Sequence, residues 1–204
     1  MPQPFYLKPT ATTETLYEIK KSRFYVSLTP LSTVPAARAY IQQAKAATPS
    51  ANHHCSAFIT GAPQSEEGFG YSDDGEPSGT AGKPMFNVLQ GQNIGQACVL
   101  VTRFFGGIKL GTGGLVRAYS TSVKEAIAQA IFEEVHPRCT IELTYPYTLS
   151  STVDAVLHTV DTQVIDSQYA ESVTLTVSIP ASSASELTQQ IQERGRGLLS
   201  IKVL

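Results

Sequence analysis

The residues with the plainest chemical potential lie in one glycine-rich run, Gly106-Gly107-Ile108-Lys109-Leu110-Gly111-Thr112-Gly113-Gly114-Leu115-Val116-Arg117. It joins an apolar stretch, 97–105, to Leu115, Tyr119, Ser122, Val123, Ala126, Ile127 and Ala130, which recur at helical spacing. A strand–loop–helix junction of this kind offers bare backbone N–H groups at the positive end of a helix dipole. Glycines at 111, 113 and 114 let a phosphate approach those groups closely. Lys109 and Arg117 add mobile positive charge, and Thr112 can cap the helix or donate to an anion. The chemistry is that of holding a phosphate. Two familiar phosphate loops are excluded. Thr112-Gly113 stand where a P-loop needs Lys followed by Ser or Thr, and Val116 stands where a dinucleotide fingerprint needs its third glycine. The competing reading is structural: tight turns and close helix–sheet contact.

A second polar run, Asp73-Asp74-Gly75-Glu76-Pro77-Ser78-Gly79-Thr80-Ala81-Gly82-Lys83-Pro84, is a loop by composition. Asp73, Asp74 and Glu76 could coordinate a hard cation such as Mg²⁺, although EF-hand spacing is absent. The alternative is a turn that leads into a capped helix. Ser78 and Thr80 are further polar candidates, and Lys83 stands at the expected helix N-terminus, where it can meet an anion. His53-His54-Cys55 opens an expected strand and offers acid, base or nucleophile chemistry. Neighbouring strand residues point to opposite faces, so the two histidines do not chelate one metal. Arg103 ends the apolar stretch and is either an anion ligand or the partner of Asp73, Asp74 or Glu76 in a buried ion pair. Tyr71, Phe104, Phe105 and Tyr119 can stack on bases if exposed and are core if buried.

The elements that position these groups follow from periodicity and punctuation. Residues 14–28 read as a hairpin, with Lys20-Lys21-Ser22-Arg23 at or beside its turn. Ser32 or Thr33 caps a helix from about Pro35 to Ala47. Strands are expected at 54–60 and near 69–72, a short helix from about Pro84, and a strand at 97–105. The style changes near 133–138. Beyond it the order is strand (139–147), helix (151–160), strand (162–169), strand (172–179), helix (183–194), strand (197–203). This is the split β-α-β-β-α-β pattern of a ferredoxin-like domain. The fold class is α+β, with domains at 1–136 and 137–204.

The chain has 204 residues and net charge −2. That balance argues mildly against binding nucleic acid through counterion release. The distribution argues otherwise. From Pro77 to Lys124 there is no Asp or Glu, while Lys83, Arg103, Lys109, Arg117 and Lys124 fall there, so a local positive field is expected. The cysteines, Cys55, Cys98 and Cys139, form no CxxC pair, so neither a zinc site nor a redox motif is expected, and unpaired thiols suit the cytoplasm. No long apolar run or secretory signal is visible, so no membrane partner is expected.

Lys20–Phe24, Ala51–Cys55, Ser72–Pro84 and Thr102–Tyr119 resemble, in order, the signature blocks of the IMPACT family, in its bacterial form. The resemblance spans about 14–130. It implies a first domain like the second domain of ribosomal protein S5, and a last domain like that of elongation factor G, hence a link to translation. Eukaryotic members carry an additional N-terminal RWD domain that regulates a stress kinase. The present chain is expected to lack it, so that interaction is not carried over, and no catalytic residue is transferred.

Three functions follow. The favoured one is a non-catalytic, translation-linked factor that binds structured RNA or the ribosome. Lys83, Arg103, Lys109 and Arg117 would meet phosphates, with the N–H groups of Gly111, Thr112, Gly113 and Gly114 beside them. No cofactor is then expected. The second is an enzyme acting on a phosphorylated or nucleotide small molecule with Mg²⁺ at Asp73, Asp74 or Glu76. The third is a protein-binding regulator of translation or the stress response.

Overall fold

The computed structural model describes residues 5–66, 68–195 and 197–204. The chain is α+β and forms two compact units, Tyr6–Val135 and His136–Leu204, the second including Phe5. In chain order the first unit contains β1 (Tyr6–Pro9), β2 (Thr13–Ile19), β3 (Ser22–Pro30), α1 (Val34–Ala47), β4 (His53–Ile59), β5 (Phe69–Ser72), α2 (Gly82–Gly91), β6 (Ala97–Phe104), α3 (Thr112–Gln129) and β7 (Phe132–Val135). Its main sheet has the order β2-β3-β6-β4-β5, antiparallel throughout.

Strand alternation divides the side chains between the faces of this sheet. Phe24, Val26 and Leu28 of β3, Cys55, Ala57 and Ile59 of β4, and Val99 and Val101 of β6 pack with Met85 and Leu89 of α2 and Leu115, Tyr119 and Val123 of α3. On the other face Phe58 and Cys98 meet Ala37, Tyr40 and Ile41 of α1. Thr33 starts α1 as its sequence context predicts, accepting the Ala36 N–H on its hydroxyl with Pro35 in the first turn. α3 carries Gly113-Gly114 in its first turn, each costing up to about 1 kcal/mol in a helix. Burial of Leu115, Tyr119, Val123 and Ala126 on one stripe outweighs this, since a fully buried large apolar side chain contributes about 1.5–3 kcal/mol.

One feature departs from the sequence expectation, and one expected turn has an unusual composition. β1 and β7 pair with each other as a separate two-stranded sheet, sealed by Lys8–Glu133 at 2.8 Å. Four-residue strands so far apart in sequence leave no local pattern to read. The β2–β3 turn is Lys20-Lys21, both with positive φ (46° and 63°). This is the tight two-residue hairpin that usually carries Asn-Gly.

The second unit runs β8 (Arg138–Tyr145), α4 (Ser150–Leu157), β9 (Gln163–Tyr169), β10 (Val173–Pro180), α5 (Ala184–Gly195) and β11 (Ser200–Val203). Its sheet order is β11-β8-β10-β9, the ferredoxin-like arrangement. Ile141, Leu143, Val177 and Ile179 pack beneath Val156 of α4 and Leu187 and Ile191 of α5. Among the described residues no helix is long and apolar enough to cross a membrane.

The hairpin tip and the glycine-rich segment are in direct contact. A Cβ on Gly106 would sit 2.0 Å from the Lys21 carbonyl carbon, and the Gly106 N–H donates to Ser22 Oγ at 3.1 Å. Gly106→Ala is therefore expected to lower stability by about 1–3 kcal/mol, measured as a shift in urea midpoint with unchanged slope.

Candidate functional site

The loop between β5 and α2 folds inward, and its three carboxylates are each claimed by the chain itself. Asp73 accepts the N–H groups of Gly79, Ala81 and Gly82 at 2.8, 2.9 and 2.8 Å. Burial alone would raise its pKa, but these three amide donors outweigh it and hold the carboxyl below its ordinary value. Asp73 thus caps α2, so the anion expected at that N-terminus is supplied internally. Asp74 accepts from Lys45 Nζ at 2.5 Å and from the His54 N–H at 2.6 Å. Burial opposes ionisation there too, but the Lys45 and His54 contacts prevail and its pKa is also lowered. Thr80 is buried, its hydroxyl donating to the Pro77 carbonyl at 2.6 Å, so it shapes the turn. Ser78 is exposed.

Glu76 is 8 % exposed and sits beneath α3. Its Oε1 accepts from Arg103 Nη1 at 2.5 Å and from the Tyr119 hydroxyl at 2.8 Å, and His53 Nε2 stands 3.9 Å from Oε2. Arg103 lies against the Phe24 and Phe105 rings, 5.3 and 5.8 Å from their centroids. Of the two roles its position allows, the structure shows the ion pair. At 5 % exposure, Arg103 is not on the surface with Lys109. Cys55 is buried, its Sγ 3.0 Å from the Asp73 carbonyl and 3.2 Å from the Tyr119 hydroxyl. Burial pushes its thiol up to about 12, which removes it as a nucleophile at neutral pH. Burial, with Cys55 and Glu76 adjacent, also raises the Tyr119 phenol.

The histidines face opposite ways. His53 Nδ1 lies 2.8 Å from the Asp74 carbonyl, whereas His54 Nε2 bonds Thr48 Oγ1 at 2.8 Å. Burial lowers the His54 pKa more than Asp74 raises it. Among the described residues no three His, Cys, Asp or Glu side chains converge on a metal position.

What stays on the surface is cationic. Gly111 (φ 74°) occupies the N-cap position of α3 with no side-chain cap bond, and the first turn holds no acidic residue. Thr112 is therefore the first helical residue and not the cap. Thr112, Gly113, Lys109 and Arg117 are all exposed. A Cβ on Gly113 would meet only Arg117 Nη1, at 3.9 Å, which places the guanidinium over the first turn. Lys83 lines a cleft of about 520 Å³ between α2 and α3, together with Asn87, Gln92, Ser120 and Lys124. The sequence signal for Lys124 was its place in the acid-free stretch. Tyr119, the hub beside Glu76, is fully buried, so of its two expected roles it is core and not a base-stacking ring, and nothing in the sequence marks it as the partner of Glu76.

Both units match known protein domains. Residues 20–127 match the Impact N-terminal domain, and residues 143–198 match a domain of unknown function, DUF1949. The chain belongs to the IMPACT family. It is 39% identical over 196 residues to the IMPACT family member YigZ of Escherichia coli, covering 96% of each chain. It is 35% identical over 199 residues to an IMPACT family member of Haemophilus influenzae, covering 98% of this chain and 97% of the relative. A crystal structure described as that of a hypothetical protein superposes with TM-score 0.66 at 38% identity, over 100% of this chain and 98% of the other.

Two outcomes test the lock. Glu76→Ala leaves Arg103 buried without its carboxylate and is expected to cost about 3–5 kcal/mol in urea unfolding. The lowered values of His54, Asp73 and Asp74 all have one sign: the unfolded chain binds protons that the fold resists. Stability is therefore expected to begin falling as pH drops below about 6.5, the ordinary histidine value, and to fall more steeply below about 3.9. Asp73→Asn should flatten part of the acid limb of a urea-midpoint-versus-pH curve.

Proposed function

We propose that this chain is a translation-linked, non-catalytic factor that binds RNA, free or in the ribosome, through the α3 N-terminus and the adjoining α2–α3 cleft, acting in the cytoplasm. The observation that carries the reading is Gly113. Glycine in a first helical turn is unfavourable, and no contact within the unit requires it, since its nearest neighbour would be Arg117 at 3.9 Å. Its absent side chain instead leaves backbone N–H groups open beside a cation, the arrangement that suits a phosphate oxygen. Lys109 and Arg117 serve the α3 end, and Lys83 and Lys124 the cleft. The net charge is no obstacle, because Asp73, Asp74 and Glu76 are turned to internal donors and the outer surface of this stretch carries the lysines and Arg117.

A second reading is favoured by the cleft alone. A space of about 520 Å³ with two lysines, Asn87 and Ser120 is of a size to take a small phosphorylated molecule. Magnesium chemistry there has weaker support, since all three loop carboxylates already accept from amides, Lys45, Arg103 or Tyr119.

RNA affinity should fall linearly with the logarithm of salt concentration, and Lys109→Ala with Arg117→Ala should reduce that slope by about one per side chain. Gly113→Ala should raise fold stability by up to about 1 kcal/mol while weakening RNA binding in the same preparation. A salt-independent affinity, or a Gly113→Ala protein that binds as well as the parent, would count against the reading. A thermal-shift response to nucleotides without RNA affinity would favour the second.

A further inference from the structure

The other face of the main sheet holds a pocket that the phosphate site does not use. α1 covers this face over β4 and the start of β6, at Phe58 and Cys98, but leaves the far ends of β3 and β6 uncovered. Between them and the α1 flank lies a half-open space of about 420 Å³, with Leu100 and Thr102 on its floor and Tyr40 on its wall. Tyr25 and Phe104 stand at its mouth with ring centroids 5.7 Å apart and planes at 86°. Two perpendicular rings form a corner in which a planar ligand can lie on one face and turn its edge to the other. Tyr25 is 41 % exposed.

The polar groups around this corner select the ligand. Arg23 already lies over both rings, 5.9 Å from Tyr25 and 5.5 Å from Phe104, and reaches the Tyr25 hydroxyl at 3.4 Å, so a ligand in the corner stacks on the guanidinium or displaces it. Among the described residues Arg23 forms no ion pair, although Glu18 of β2 is its register partner, so an anionic ligand would compete with that carboxylate for the guanidinium. Glu14 and the Ser27–Tyr40 hydroxyl pair, 2.7 Å apart, also line the pocket, and a carboxylate there can accept from an amino group. A flat ring with polar edges and an attached negative charge satisfies all of these, whereas a purely aliphatic segment would leave the cation, carboxylate and hydroxyls unanswered.

The pocket is also joined to the phosphate site by the chain. Phe104 is the last residue of β6, and residues 105–111 lead from it to the first turn of α3. Gly106 packs on Lys21 beside the start of β3, so Arg23 and the glycine-rich segment share one end of the sheet.

We propose that the Tyr25–Phe104–Arg23 corner holds an unpaired nucleobase, so that the RNA gripped at α3 is single-stranded where it crosses this end of the sheet. The inference deepens the RNA reading above and rests on it. A paired base inside a duplex cannot lie in the corner, because its faces and edge are already occupied.

The test compares a ten-nucleotide single-stranded RNA with an abasic strand of the same phosphate number, by fluorescence anisotropy at fixed salt. The abasic strand should bind about tenfold more weakly or worse, and Tyr25→Leu should bring the base-bearing strand down to the abasic value without changing the salt slope. Uncharged nucleosides, titrated into the unaltered protein and followed by NMR, should shift the ring signals of Tyr25, Tyr40 and Phe104. Equal affinities for the two strands overturn the proposal, as do ring signals that move with an aromatic peptide but not with nucleosides. If neither strand binds while nucleosides still shift the three rings, the phosphate reading falls and the base pocket stands.

Discussion

A carboxylate buried beneath a helix must be answered by donors, and the first unit is organised around one that is. Glu76 takes hydrogen bonds from Arg103 of β6 and Tyr119 of α3, so a single side chain ties a loop, a central strand and the long helix together. An ion pair in such surroundings adds little net stability over an apolar replacement, but half of one is very costly. The consequence is mutual dependence. The loop must deliver Glu76, which is why Asp73 gathers three backbone amides around itself and Asp74 is held by Lys45 and the His54 amide. The residues richest in apparent catalytic promise are in large part the ones that build this scaffold.

That inward commitment of negative charge explains how a nearly neutral chain presents a cationic surface. The acid-free stretch 77–124 contributes one arginine to the interior and leaves Lys83, Lys109, Arg117 and Lys124 at or near the solvent. Net charge is a sum over the whole molecule, whereas a ligand experiences the local field within a Debye length of about 10 Å. The α3 N-terminus, without an acidic residue in its first turn, adds its dipole to the same field.

Much of this was legible beforehand. Alternation in β3 and β10, the Thr33 cap of α1, the helical stripe of α3 and the split pattern of the second unit are local signals, and local signals survive in a single sequence. The β1–β7 pairing was not legible, because short strands find each other only through the folded chain. Arg103 could be read two ways, since one residue type serves both a ligand and a buried partner, and only the position of Glu76 separates the roles. Thr112 looked like a cap, but Gly111, with its positive φ, takes that place and leaves Thr112 inside the helix. Arg23 was visible as a residue of the hairpin turn and of a family block, whereas Tyr25 fell within the hairpin span with nothing to mark it. Their role in a corner with Phe104 depends on strand register, which pairs Tyr25 with Thr102 and Arg23 with Phe104.

The small sheet of β1 and β7 has a bearing on the architecture beyond its four rungs. Tyr6 and Val135 are register partners, so the chain enters and leaves the first unit at neighbouring points. A body whose ends meet in this way can be inserted, excised or circularly rearranged with little disturbance to its interior. The pairing makes the first unit a self-closing cassette, transferable between different chains as an intact piece.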